Sequence, residues 1–279
     1  MKEILGRYFI INNFLRSSAR FNPLFLGKGK NIYEVVRVIR GKVLFLEDHF
    51  ERVVRSGELS RLKIWYDLNM LRNNLKELIN ANKLQVGNIK FVFHFETDKK
   101  NNYFFAYPVP YSYPKQDEYN FGVPLLTHQF QRQQPNVKKW IPDFKLSVAE
   151  LKEKNEVFEI LLVNDEGVVT EGSQSNFFMI KGNTIFTAPQ NIVLPGITRK
   201  YVFKICKENN IEIREQAFRI SDVLSCESAF ITGTSPKILP VSEIDGKRVL
   251  VKNFILQKLM VEYNKIIEDY ISRSIFYDL

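Results

Sequence analysis

Residues 31–46 are rich in β-branched and aromatic side chains on either side of Arg40-Gly41, a pattern that predicts a hairpin. A helix is expected next. Asp48 offers a side-chain cap and Glu51, three residues on, completes a capping box, while Phe50, Val53, Val54 and Leu62 supply an apolar face. Leu68, Leu71, Leu75, Leu78 and Ile79 recur at helical spacing, and residues 89–95 and 103–107 then alternate or run apolar as strands. Three prolines and two tyrosines crowd residues 108–114, which cannot continue a regular element and place a boundary there. Beyond it the pattern predicts a short helix at 145–154 and strands at 157–163, 168–170 and 176–180, punctuated by Asp165-Glu166-Gly167 and Lys181-Gly182-Asn183. A helix after Gly196, strands at 211–214 and 228–232, and an amphipathic helix over 252–273 complete the chain. The expected organisation is a mixed α/β (α+β) protein of two domains, a smaller one over residues 1–112 and a larger one over 113–279.

Composition changes this picture little: 45% hydrophobic and 25% charged residues are ordinary for a globular protein. Cys206 and Cys226 form no CxxC pair and have no cluster of histidines beside them, so neither a metal site nor a disulfide framework is expected, and a reducing cytoplasm fits. No apolar run reaches the roughly 20 residues that cross a bilayer, and residues 1–14 lack the order of a leader peptide. The formal charge of +9 invites a nucleic-acid partner, but the charges are dispersed and the pairs Lys99-Lys100 and Lys138-Lys139 are short. A small anionic ligand is the better expectation, with no nucleic acid and no membrane as partner.

Four segments carry the chemistry. They are YEVVRV at 33–38 followed by HFER at 49–52, VTEGSQSN at 169–176 leading into FFMI, LPGITR at 194–199, and FITGTSPKILPV at 230–241. In order and spacing they resemble the class IV aminotransferase family of fold type IV, which includes D-amino-acid aminotransferases, branched-chain aminotransferases and aminodeoxychorismate lyases. The resemblance covers most of the chain from about residue 31 to 250. It implies a pyridoxal 5'-phosphate (PLP) enzyme, working as a homodimer, with the cofactor held between the domains.

By this resemblance Lys138 is the catalytic lysine that carries PLP as a Schiff base, and Lys139 is the reserve, since on a strand only one of two neighbours can face the site. Arg52 is the phosphate ligand implied, a role that suits the planar fork of a guanidinium. Leu194, Ile197 and Thr198 of LPGITR, and Gly233 and Thr234, form the rest of the phosphate cup; a helix starting at Ile197 aims its free N–H groups at an anion. Glu171 is implied to face the pyridine nitrogen, where a carboxylate favours the protonated ring. Asn176 supports the pocket, and Tyr33 faces substrate. His49 is expected as a structural partner of Arg52, one helical turn away. The chain departs from the family where Phe95-Glu96 replace an Arg-Gly pair and GKGKN replaces a glycine-acid-glycine segment before YEVVRV. YEVVRV and VTEGSQSN resemble the aminotransferases more closely, which makes an aminotransferase the leading expectation; the lost Arg-Gly pair favours the alternative, 4-amino-4-deoxychorismate lyase, and a PLP-free nucleic-acid binder is the reading from another class.

Overall fold

The computed structural model describes residues 4–27, 29–96, 101–138 and 142–273. It divides into two compact units: one comprises Met1–Ser112, Val137–Trp140 and Ile267–Leu279, the other Tyr113–Asn136 and Ile141–Ile266.

The first unit is built on a sheet in the order β2-β1-β6-β5-β3-β4. Its strands are β1 (Tyr8–Ile11), β2 (Phe14–Ser17), β3 (Lys30–Ile39), β4 (Lys42–Val43), β5 (Val86–Phe95) and β6 (Asn102–Val109), and its helices are α1 (Leu46–Leu59) and α2 (Leu68–Asn82). All pairings are antiparallel, with Tyr33 opposite Val92 and Glu34 opposite Phe91 in the long β3–β5 ladder. Alternation along β3 sorts its side chains between two faces. Ile32, Val36 and Val38 pack with Val53, Leu71 and Leu75 in the core under the helices, whereas Tyr33 packs with Val92, Phe105 and Tyr107 on the other side. Glu34 falls on the core-facing set, so the strand drives a carboxylate into an apolar layer.

Asp48 does not cap α1. The helix begins two residues earlier, after Phe45 in a left-handed conformation (φ 53°), and no side chain caps it from the N-cap position. The free amide of Leu46 donates instead to the hydroxyl of Tyr270 at 3.0 Å. Asp48 stays in the first turn, where its charge suits the positive helix end. The local capping pattern lost to a partner more than 200 residues away, which a sequence window cannot see.

The second unit holds a sheet ordered β12-β11-β10-β13-β14-β7-β8-β9, with β15 beside β14. Its elements are α3 (Gln116–Phe121), β7 (Val123–Gln129), α4 (Pro142–Lys154), β8 (Glu159–Val163), β9 (Val169–Gly172), β10 (Asn176–Lys181), β11 (Thr184–Thr187), α5 (Ile197–Glu208), β12 (Glu212–Glu215), α6 (Ile220–Leu224), β13 (Ser228–Gly233), β14 (Lys237–Ile244), β15 (Lys247–Arg248) and α7 (Phe254–Arg273), whose last turns, from Ile267, belong to the first unit. β8 is parallel to β7 and buried along its whole length. Leu161 and Val163 enter the main core, and Ile160 and Leu162 meet Val148 of α4, which is why the strand reads as an unbroken apolar run after its first residue.

Three expectations shift here. α4 starts at Pro142 rather than 145, with proline in the first turn where its missing N–H costs nothing. β9 runs on through Glu171 and Gly172 instead of ending at Thr170, so Glu171 is a strand residue. Lys138 lies on no strand, so facial alternation does not decide between it and Lys139, which is outside the described residues.

Candidate active site

In the first unit, β3, α1 and the short segment ending at Lys138 bring four polar side chains together. The backbone N–H of Tyr33 donates to the carbonyl of Lys138 at 3.4 Å, outside the β3–β5 ladder. The Lys138 ammonium is 3.6 Å from Glu34 Oε2 and 5.6 Å from the centre of the Tyr33 ring. Arg52 grips the same carboxylate with two donors, Nε to Oε1 and Nη2 to Oε2, both at 2.7 Å. His49, one turn earlier on the same helix face, places Nδ1 2.8 Å from Oε2. Thus the HFER motif presents His49 and Arg52 to one acid supplied by the YEVVRV strand.

Electrostatics settle the charge states. Burial raises the Glu34 carboxyl, but the Arg52 and Lys138 charges and the hydrogen bonds from His49 and Arg52 outweigh it and hold the group well below the usual carboxylate range. His49 is depressed, chiefly by burial, although Glu34 pulls the other way. It is therefore neutral near pH 7, and a proton on Nδ1 makes it a donor to Glu34.

The second unit builds two further clusters. In one, Glu171 at the end of β9 is 2% exposed, and its Oε2 accepts from the Leu194 amide at 3.0 Å and from Asn176 Nδ2 at 3.2 Å. Asn176 also donates to the Leu194 carbonyl at 2.9 Å, so it pins LPGITR to the start of β10. A side chain at Gly196 would put its Cβ 2.0 Å from Asn176 Oδ1, which is why this close approach needs glycine. Among the described residues Glu171 Oε1 makes no hydrogen bond; Arg132 Nε, also without one, forms an ion pair with it at 3.3 Å. Burial pushes the Glu171 carboxyl up to about 7 against the pull of Arg132, the Leu194 amide and Arg199.

The other cluster joins the two loops expected to hold phosphate. Ile197 is the first residue of α5, after Gly196 at the N-cap. Thr198 Oγ1 donates to the Gly233 carbonyl at 3.1 Å and meets the hydroxyl of Tyr263 at 3.0 Å. Its proton is thus engaged within the protein rather than left free for an anion. Thr234 is half-buried in the turn between β13 and β14.

Four residues escaped sequence reasoning. Glu34 had a signal, an acid at a core-facing position of an alternating strand, which must find a cation. Glu159 had a similar one at the head of an apolar run. It is 3% exposed and accepts from Ser173, Ser175 and the amides of Ile160 and Gln174, which fixes the loop after Glu171. Arg132, which also donates to the Ser173 carbonyl at 2.6 Å, sits in a loop with no periodicity to mark it. Tyr263 shares the buried stripe Leu256, Leu259, Ile267 and Ile271 of α7 and reads as ordinary core.

The residues fit PLP on this chain's own geometry. A buried carboxylate oxygen without a hydrogen bond, held in place through its twin, is the acceptor a protonated ring nitrogen requires. A lysine amine with its side chain 17% exposed beside a compensated acid is suited to an aldehyde.

Comparison with known proteins agrees. The family model described as "Amino-transferase class IV" matches residues 31–244. The chain is 29% identical over 231 residues to a D-alanine aminotransferase of Bacillus licheniformis, covering 79% of this chain and 81% of that protein. It is 27% identical over 254 residues to a probable branched-chain-amino-acid aminotransferase of Rickettsia bellii, covering 85% and 86%. Among solved structures, the branched-chain amino acid aminotransferase of Escherichia coli superposes with a TM-score of 0.84 at 19% identity, over 94% of this chain and 95% of that one. The T.th. branched-chain amino acid aminotransferase with pyridoxamine 5'-phosphate gives 0.83 at 20%, over 99% and 98%. A putative 4-amino-4-deoxychorismate lyase of Legionella pneumophila gives 0.78 at 21%, over 87% and 92%.

Proposed function

We propose, on the premise that the chain belongs to the amino-transferase class IV family, that it moves an amino group between an amino acid and a 2-oxo acid, with Lys138 as its catalytic lysine. The observation that carries this reading is the Glu171 carboxyl, buried and held through Oε2 while Oε1 makes no hydrogen bond among the described residues. When bound, PLP supplies an aldehyde for the amine and a ring that draws electrons from the substrate α-carbon.

Lys138 would hold the cofactor through Nζ, give way to the substrate amine, and then move a proton from the α-carbon as a general base. Glu34 aids this by keeping a negative charge near the amine without competing for a full hydrogen bond, at 3.6 Å. Glu171 would hold the proton on the ring nitrogen, and Asn176 and the Leu194 amide keep it aimed. Arg52, the α5 amides from Ile197, Thr198, Gly233 and Thr234 would hold the phosphate. Tyr33, whose ring lies over the lysine amine, would face the substrate. We take the enzyme to act as a homodimer. Its buried free thiols, Cys206 and Cys226, accord with a reducing cytoplasm, and among the described residues no helix is long and apolar enough to cross a membrane.

The test is a spectrum followed by a panel of donors. Purified protein should absorb at roughly 410 to 430 nm when lysine holds the cofactor, and Lys138→Ala should lose that band. Transfer from D-alanine or a branched-chain amino acid to 2-oxoglutarate or pyruvate should follow. Phe95-Glu96 in place of Arg-Gly favours a second reading, the lyase. Release of 4-aminobenzoate from aminodeoxychorismate without any 2-oxo acid would establish it. A colourless protein that shifts RNA in a salt-dependent manner would overturn both.

A further inference from the structure

The hydroxyl of Thr198 has one proton, and the Gly233 carbonyl 3.1 Å away can only accept it. The contact at 3.0 Å between Thr198 Oγ1 and the Tyr263 hydroxyl must then run the other way, with Tyr263 donating. Three elements that the sequence keeps far apart are joined in one directed chain: α7 through Tyr263, the first turn of α5 through Thr198, and the end of β13 through Gly233. Tyr263 is 2% exposed and Thr198 3%, so neither bond competes with bulk water.

We propose that Tyr263 is a positioning residue for the phosphate cup. Its donated hydrogen bond occupies one lone pair of Thr198 and keeps the Thr198 proton on the side away from Tyr263. On arrival of a phosphate the proton swings from the Gly233 carbonyl to a phosphate oxygen, while Tyr263 goes on holding Oγ1. No covalent bond changes; one donor exchanges a neutral acceptor for a charged one, which strengthens the bond. Without the Tyr263 hydroxyl, Thr198 can give its proton to either acceptor with no fixed orientation, and the α5 entrance loses its hydrogen bond to α7. Gly233 adds a steric reason for a fixed loop, because a Cβ there would meet the Pro236 ring at 3.1 Å.

This inference rests on the reading of LPGITR and Gly233-Thr234 as a phosphate site, and phosphate-free pyridoxal separates the two. Dissociation constants of PLP and pyridoxal are measured on cofactor-free wild type and on Tyr263→Phe by absorbance and protein fluorescence, with inorganic phosphate as competitor. Wild type is expected to prefer PLP over pyridoxal strongly. Tyr263→Phe should bind PLP about tenfold more weakly, the scale of one hydrogen bond to a charged network, with pyridoxal binding unchanged and inorganic phosphate competing less well. Tyr201→Phe, altering the ring that packs on Tyr263 with centroids 6.1 Å apart, should leave both affinities alone. Equal PLP affinity in wild type and Tyr263→Phe overturns the inference, as does an equal loss for PLP and pyridoxal, which would mean a general packing role. Wild type that fails to prefer PLP over pyridoxal overturns the phosphate site itself. Should Tyr263→Phe fold poorly, Thr198→Ser, which keeps the hydroxyl pair, must retain the preference, and its loss there counts against the proposal.

Discussion

Replacing Glu34 by glutamine removes one negative charge from a cluster in which it meets Arg52 through two bonds of 2.7 Å and His49 through one of 2.8 Å. Glutamine keeps one acceptor oxygen, but its amide nitrogen then faces a donor on Arg52 or His49. The Arg52 side chain is only 6% exposed, so water cannot take over the lost contact. Breaking one partner of a buried pair costs about 3–5 kcal/mol, a large part of the roughly 5–15 kcal/mol by which a folded domain is stable. On a chain of this size that lowers the melting temperature by roughly 6–20 °C, from about 2–4 °C per kcal/mol. The assay is thermal and urea unfolding of the cofactor-free protein, so that cofactor affinity does not enter. The pH dependence has a definite sign. Glu34 is held below its ordinary value, so its contribution is present in full above about pH 4.5 and is lost as the pH falls through the lower folded-state value. The gap between wild type and Glu34→Gln should be constant near neutrality and close only in acid. The double variant Glu34→Leu, Arg52→Met removes both charges and should recover about 2 kcal/mol of the loss, leaving about 1–3 kcal/mol for the stranded donor on His49. A Glu34→Gln protein within about 1 kcal/mol of wild type at pH 7 would refute the reasoning.

Two further outcomes are expected. Glu171 is raised to about 7 by burial, so in the cofactor-free protein its proton stabilises the fold below about pH 4.5 and this contribution is lost as pH rises through 7. Wild type should lose of order 3 kcal/mol more than Glu171→Gln between those limits, read from urea melts at each pH, and parallel profiles would contradict it. Gly196→Ala should push Asn176 off Glu171 and Leu194, because the new Cβ would stand 2.0 Å from Asn176 Oδ1. A loss of about 1–3 kcal/mol with weaker PLP binding is expected, and a fully stable variant with wild-type affinity would show that the loop yields freely.

What the sequence determined by itself was local. Period-two and period-3.6 patterns announced the long strand at 30–39, both helices of the first unit and the buried stripe of α7, because side-chain direction repeats along an element whatever surrounds it. The motifs likewise singled out Glu171, Thr198 and Gly233 as candidates, since each lies in a short contiguous segment. Tertiary structure decided who meets whom. That Arg52 is bound to Glu34, that Leu46 is capped by Tyr270 and that Thr198 leans on Tyr263 depends on distances closed by the fold, between residues 18 to 224 positions apart. The same residue type was turned to opposite ends: one glutamate held ionised by two cations, one of them hydrogen-bonded to it through two donors, the other lifted by burial to about 7 against the pull of Arg132. A sequence records which groups are present; only the fold sets the separations and the exclusion of water that give them their charge.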